Sequence, residues 1–162
     1  MNGSQVTFRG LKKCNFIRTT QPIPRKWRSF RWEAKVVEGE DICSIGIGLA
    51  SKLPVTGEGF PFYADKYALT FYMYDGCIRQ GAVDKIHLEE KPSNGDVISC
   101  HLQYLEKDGC EWSICHFFRN GIRIGIYSVP VSEMYPLIWV AQGNKIVDTN
   151  LTGKDFTYTE GN

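Results

Sequence analysis

Two Cys-His dipeptides, Cys100-His101 and Cys115-His116, are the residues of this chain best equipped for chemistry. A thiolate and an imidazole bind zinc or support redox chemistry when they converge on one point. Both dipeptides lie in segments that alternate apolar and polar residues like β-strands. If a hairpin centres on Lys107-Asp108, Cys100 faces Cys115 and the two histidines are displaced by one. Neighbouring residues on a strand point to opposite faces, so the four side chains do not meet. The six cysteines, Cys14, Cys43, Cys77, Cys100, Cys110 and Cys115, contain no C-x-x-C pair of the kind common zinc patterns supply. They read as reduced, buried thiols that behave as small hydrophobes. No metal and no cofactor is expected. His101 and His116 read as neighbours on an outer sheet face.

Other reactive arrangements are equally thin. Ser44, Ser51, Ser99 and Ser113 lack a nucleophile-elbow context. Nothing sets Asp65 and Asp75, or Glu89 and Glu90, across a cleft. Asp65, Asp75 and Asn94 are too scattered for a calcium cluster. Gly46-Ile47-Gly48 superficially suggests a dinucleotide fingerprint, but the third glycine and the following helix are missing. The chain therefore does not read as an enzyme.

The elements that carry these residues are short strands. Val97–Gln103 places Ile98, Cys100 and Leu102 on one face and Ser99, His101 and Gln103 on the other. Lys107-Asp108-Gly109 turns into Glu111–Phe118, and Asn120-Gly121, a strong hairpin signal, turns into Ile122–Tyr127. Phe30–Val37 alternates Phe30, Trp32, Ala34 and Val36 against Arg31, Glu33 and Lys35. Further strands are expected at Gln5–Arg9, Asn15–Thr19, Cys43–Ala50, Tyr67–Tyr74, Cys77–Gln80, Leu137–Gln142 and Lys145–Leu151. Turns are expected at Glu38-Gly39-Glu40-Asp41, Asp75-Gly76 and Gly143-Asn144. Ser51–Ala64, with Pro54, Gly57, Gly59 and Pro61, reads as a long loop, and His87–Asn94 as a charged connection. No convincing amphipathic helix appears. The expected fold is all-β, a two-sheet antiparallel bent β-sandwich.

At 162 residues the chain suits one domain with a core of its own. A formal net charge of +1 supplies no field that would draw nucleic acid or an anionic membrane. The local cluster Arg25, Lys26, Arg28 and Arg31 is interrupted by Trp27 and reads as a solvated strand start. Neither a membrane-length apolar run nor a secretion signal is present, so an intracellular, cytoplasmic or nuclear, setting is expected.

Taken in order, several motifs resemble the SPRY domain family. Trp32-Glu33-Ala34-Lys35-Val36 followed by Ile45-Gly46-Ile47-Gly48-Leu49-Ala50 is similar to its opening "W/Y-x-E-V-x-V … I-G-I-A". Asp75-Gly76 before Ile78 resembles its middle hairpin. Gly95-Asp96-Val97-Ile98 resembles "G-D-V-I-G", and Phe118-Arg119-Asn120-Gly121 through Gly125 resembles "F-x-K-N-G-x-x-L-G". Tyr135-Pro136 resembles "L-Y-P". Together they cover about residues 30–150. The chain departs from the family at Ser99, at Gln103-Tyr104 and at Asn150-Leu151-Thr152.

The resemblance implies a concanavalin-like sandwich that binds proteins, often as a substrate receptor of a ubiquitin ligase or a docking unit of a large assembly. It places a peptide pocket near Ala141, Gln142 and Gly143, where the ligase-adaptor branch has "V-W-G". On physical grounds, loops on a rigid sandwich supply the contact surface. Glu38–Ile42, Leu53–Tyr63 and Gln142–Lys145 are the candidates. Phe60, Phe62 and Tyr63 offer aromatic anchors. Asp41, Glu58 and Asp65 could rim the site with acid, and Asn144 borders Gly143. The partner expected is a protein or peptide, bound by an isolated domain that is monomeric. A small-ligand or glycan-binding β-sandwich, or a structural module without its own ligand, is the alternative.

Overall fold

The structure is a computed structural model that describes residues 4–11, 13–39, 45–51, 56–58, 65–129, 133–141 and 143–150. Its strands are β1 (Ser4–Leu11), β2 (Asn15–Arg18), β3 (Ser29–Gly39), β4 (Ile45–Ala50), β5 (Thr56–Glu58), β6 (Leu69–Tyr72) and β7 (Cys77–Gln80). The remainder are β8 (Val83–His87), β9 (Val97–Lys107), β10 (Cys110–Arg119), β11 (Ile122–Val129), β12 (Tyr135–Val140) and β13 (Gly143–Asn150). Among the described residues helical structure is confined to one 3-10 turn, Arg25–Trp27, and no helix is long and apolar enough to cross a membrane.

The strands form two antiparallel sheets. One has six strands in the order β1-β13-β3-β9-β10-β11, the other seven in the order β5-β2-β12-β4-β6-β7-β8. Period-two alternation sends one face of each sheet inward. Trp32, Ala34 and Val36 of β3, Ile98, Cys100 and Leu102 of β9, and Cys115 and Phe117 of β10 meet Ile45, Ile47, Leu49, Phe71, Ile78 and Ile138 from the other sheet. The central strands β4 and β12 are buried along their whole length, which accounts for their nearly unbroken apolar runs.

Two hairpins of the six-stranded sheet turn through residues of positive φ. Asp108 and Gly109 stand at φ 54° and 74°, Asn120 and Gly121 at 52° and 81°. Both pairs fit the turn whose twist matches that of its flanking strands. The second turn is tied to the start of β9 by Asp96. Its carboxylate accepts hydrogen bonds from the Ser93 N–H (2.9 Å), Arg119 Nε (2.8 Å) and Asn120 Nδ2 (2.7 Å). Asn120 Oδ1 accepts the Val97 N–H at 2.9 Å, and the Asn120 N–H donates to the Val97 carbonyl at 2.9 Å. Burial alone pushes the Asp96 carboxyl up. The Ser93 N–H, the Asn120 amide and the Arg119 guanidinium outweigh it and hold the group below the usual carboxylate range.

The structure corrects the sequence reading at several points. The first hairpin centres on Asp108-Gly109, not Lys107-Asp108. Cys100 therefore pairs with Phe117, Cys115 with Leu102, and His101 directly with His116. Val83–His87 is a strand where no strand was expected, and Thr56–Glu58 is a strand within the expected long loop. β13 already begins at Gly143, so Gly143-Asn144 lies in a strand and not in a turn. Cys43, Glu40 and Asp41 lie outside the described residues.

Gly121→Val forces a β-branched residue to φ 81°, so unfolding should shift to lower temperature, by several degrees. An unchanged thermal midpoint would show that the turn does not need this conformation. Asp96→Asn tests the carboxylate. A pKa lowered by folding contributes stability above the unfolded value, and that contribution is lost as pH falls through the folded value. The stability gap between parent and variant in urea should thus be full at neutral pH and shrink below about pH 4. A gap independent of pH would contradict the assignment.

Candidate functional site

The ends of four strands line up at one end of the seven-stranded sheet. Asn15 pairs with Glu58, the last residue of β5, and also with Val140, the last of β12. Val140 in turn pairs with Ile45, the first residue of β4. Glu58, Asn15, Val140 and Ile45 therefore lie in one row across four strands. Four chain segments join this row: the β1–β2 link that enters at Asn15, and 40–44, 59–64 and the link from β12 to β13. The last three carry the residues singled out in the sequence. Asp41, Phe60, Phe62, Tyr63 and Gln142 lie outside the described residues. Glu58 and Asn144 are placed as strand residues, Ala141 is half-buried, and Gly143 takes φ 79°. Asp65 is not a rim residue. It is 3% exposed, and its carboxylate accepts the Ser51 N–H, the Ser51 hydroxyl (2.9 Å) and the Tyr67 N–H (3.0 Å). Its bonds hold a loop in place.

A second row crosses the outer face of the same sheet: Gly57, Phe16, Trp139, Gly46, Tyr72, Cys77 and His87 pair in succession. The glycines let the aromatics lie flat. A Cβ on Gly57 would come within 2.6 Å of the Phe16 ring, and one on Gly46 within 1.8 Å of Trp139 Nε1. Gly48 approaches the neighbouring strand as closely, since its Cβ would stand 2.0 Å from the Leu69 carbonyl. Gly46-Ile47-Gly48 is thus a packing device within a strand. Tyr72 meets Trp139 edge-on at 4.8 Å, and the Arg79 guanidinium covers the Tyr72 ring at 4.1 Å. Phe16, Tyr72 and Trp139 form a buried cluster with Cys14 and Leu137, against which Ala141 packs.

The comparison with known proteins bears on this frame. The sequence matches no family model, and no curated protein matches it. Solved structures do match. A human SPRY domain superposes with a TM-score of 0.75 at 17% identity, covering 96% of each chain. The SPRY domain of human HERC1 gives 0.63 at 17% identity, over 96% of this chain and 92% of that one. The TRIM65 PSpry domain gives 0.53 at 10% identity, over 83% and 70%. A carbohydrate-binding module, CBM66 from Bacillus subtilis, gives 0.51 at 11% identity, over 92% and 89%. The chain has the fold of a SPRY domain.

Within that SPRY frame the motifs quoted from the sequence have structural work. Gly95-Asp96-Val97 and Arg119-Asn120-Gly121 are the two halves of the Asp96 clasp. Ser99, where the family pattern has glycine, is buried and donates its hydroxyl to Glu33 Oε1 at 3.1 Å, while Arg31 lies 3.7 Å from the same carboxylate. The cysteines expected to be buried are free thiols at Cys14, Cys77, Cys100 and Cys115, whereas Cys110 is exposed. Burial pushes the Cys14 thiol up to about 11. Burial, and then the hydrogen bond and charge of Cys115, push Cys100 well above the ordinary thiol range. Both stay protonated at neutral pH, which suits packing and not nucleophilic attack. His101 and His116 are outer-face neighbours as expected, with ring centroids 5.7 Å apart.

One convergence escaped the sequence reading. Asp75, Cys77 and His87 bring ligand-type atoms within 4.8 Å of one another. Cys77 and His87 are an in-register pair of β7 and β8. Because Val83–His87 showed no clean alternation, nothing aligned His87 with a cysteine ten positions earlier.

Gly46→Ala should be costly, because the new methyl would overlap an indole that is only 2% exposed. Overpacking of this kind costs about 1–3 kcal/mol. The urea midpoint of the variant should fall accordingly, and an unchanged midpoint would show that Trp139 is free to move aside.

Proposed function

We propose that this chain is a non-enzymatic protein-interaction module that grips a peptide segment or protein surface with the loops at one end of the sandwich. The observation that carries this reading is the row Glu58–Asn15–Val140–Ile45, which gathers the strand ends that lead to the three candidate contact segments. Phe60, Phe62 and Tyr63 are the anchors in this reading. Asp41 and Glu58 supply the acidic charge of the surface, and Ala141, Gln142, Gly143 and Asn144 are its remaining contact residues. Burying an aromatic anchor in a water-excluding surround yields the large per-residue energies of such interfaces. The acidic charge favours a ligand with basic residues and speeds its arrival. The module serves as a docking or substrate-recognition unit, of a ubiquitin ligase or another intracellular assembly, within a longer protein.

A glycan is the second reading, favoured by the shared fold of the carbohydrate-binding module. The two readings part in one experiment pair. The protein and a variant altered at Asp41, Phe60, Phe62 and Gln142 are used as baits in cytosolic and nuclear extract, and the same two proteins are applied to a glycan array. Protein partners lost selectively from the folded variant are the expected result. Partner lists that the variant leaves unchanged would contradict the loop-end surface, and glycan binding by the parent would favour the second reading.

A further inference from the structure

The outer-face row ends in a group of metal-ligand-type side chains. Cys77 Sγ lies 3.6 Å from His87 Nε2, and a carboxylate oxygen of Asp75 lies within 4.8 Å of both. A zinc ion bound at about 2.3 Å to sulfur and about 2.0 Å to nitrogen in tetrahedral geometry holds those two atoms about 3.5 Å apart. The separation between Cys77 and His87 is therefore the edge of a zinc tetrahedron. We propose that Asp75, Cys77 and His87 form a zinc site that clips the β7–β8 hairpin at the edge of the sheet.

The backbone prepares this geometry. Cys77 and His87 are directly opposed, so their side chains leave the same face of adjacent strands. Asp75 sits in the turn from β6 to β7, where its Oδ1 accepts the Cys77 N–H at 2.9 Å and its Oδ2 accepts Arg79 Nη2 at 2.6 Å. Those two bonds orient the carboxylate, in the manner of the outer partners that commonly steady metal ligands. Arg79 is itself held by the Tyr72 ring beneath it. One thiolate, one imidazole and one carboxylate form a mixed set with a soft donor, which selects zinc over magnesium or calcium. The two ligand charges cancel those of the ion. On binding, a metal–sulfur bond replaces the Cys77 S–H bond and the proton passes to solvent. His87 is exposed while Cys77 is buried, so the ion enters past the imidazole, and water takes the fourth position.

This site is independent of the loop-end reading, and its test needs no partner. The purified protein, stripped with chelator, is titrated with cobalt(II), and zinc is then added in competition. The expected result is one equivalent of cobalt with an intense sulfur-to-metal charge-transfer band, displaced stoichiometrically by zinc. His87→Gln, a surface change that leaves the core untouched, should weaken binding by roughly 100-fold, and Asp75→Asn by roughly 10-fold. Cys77→Ser should abolish the charge-transfer band while circular dichroism still reports the sandwich. Absence of the band in the parent protein would overturn the proposal. So would parental affinity in His87→Gln, since the ion would then be held elsewhere.

Discussion

One nearly buried carboxylate, Asp96, decides how the six-stranded sheet is assembled. It sits where β9 begins and reaches across to the end of β10, so three donors from two chain segments meet on one small anion. An ion 6% exposed to solvent is tolerable only because each lone pair it turns inward is met by a donor. The same bonds set the register of β10 against β9, because Asn120 serves both Asp96 and Val97 only when the end of β10 lies beside the start of β9 and the turn falls at Asn120-Gly121. With that register set, Ile98, Cys100, Leu102, Cys115 and Phe117 all face the opposing sheet. A slip of one residue would send each of them to water.

The opposing sheet is held by a different device. Its two faces are both apolar at the centre, and the outer one is closed by aromatics lying on glycines. Gly46 and Gly57 contribute no side chain so that Trp139 and Phe16 may lie against the backbone. That arrangement packs the outer face of the strands that end in the Glu58–Asn15–Val140–Ile45 row. β8, the last strand of this sheet, carries Val83 and Ile86 at 57% and 38% exposure. The Asp75–Cys77–His87 group lies on this β7–β8 hairpin at the border of the sheet.

The sequence made the frame legible wherever packing obeys period two. Phe30–Val37 and Val97–Gln103 alternate cleanly because one face of each is core, and the Asn120-Gly121 turn announced itself through one of the few residue pairs that tolerate two positive φ values in succession. What escaped had physical reasons. The β7–β8 pairing carries a bulge between Ile78 and Arg79, which breaks the alternation that would have revealed Val83–His87. Thr56–Glu58 is short and holds a glycine that reads as loop, although that glycine is there to admit Phe16. At the first hairpin, Lys107-Asp108-Gly109 offers two possible centres. Choosing the earlier one moved every partner by two positions, which kept the faces right and paired Cys100 with the wrong residue. Asp65 looked like an exposed acid and is a loop anchor, since burial and backbone donors leave no mark on sequence. The candidate contact residues were legible as chemistry, and the structure adds that the strands leading to them end side by side.

The central claim is that binding occurs at that end of the sandwich. The most direct measurement is backbone-amide NMR mapping of the isotopically labelled protein, titrated with a peptide selected against it by phage display. The account predicts shifts concentrated at Ile45, Gly57, Glu58, Ala141 and Gly143, with β9–β11 unaffected. Shifts centred instead on the opposite end, around Arg28, Tyr104 and Trp112, would contradict it.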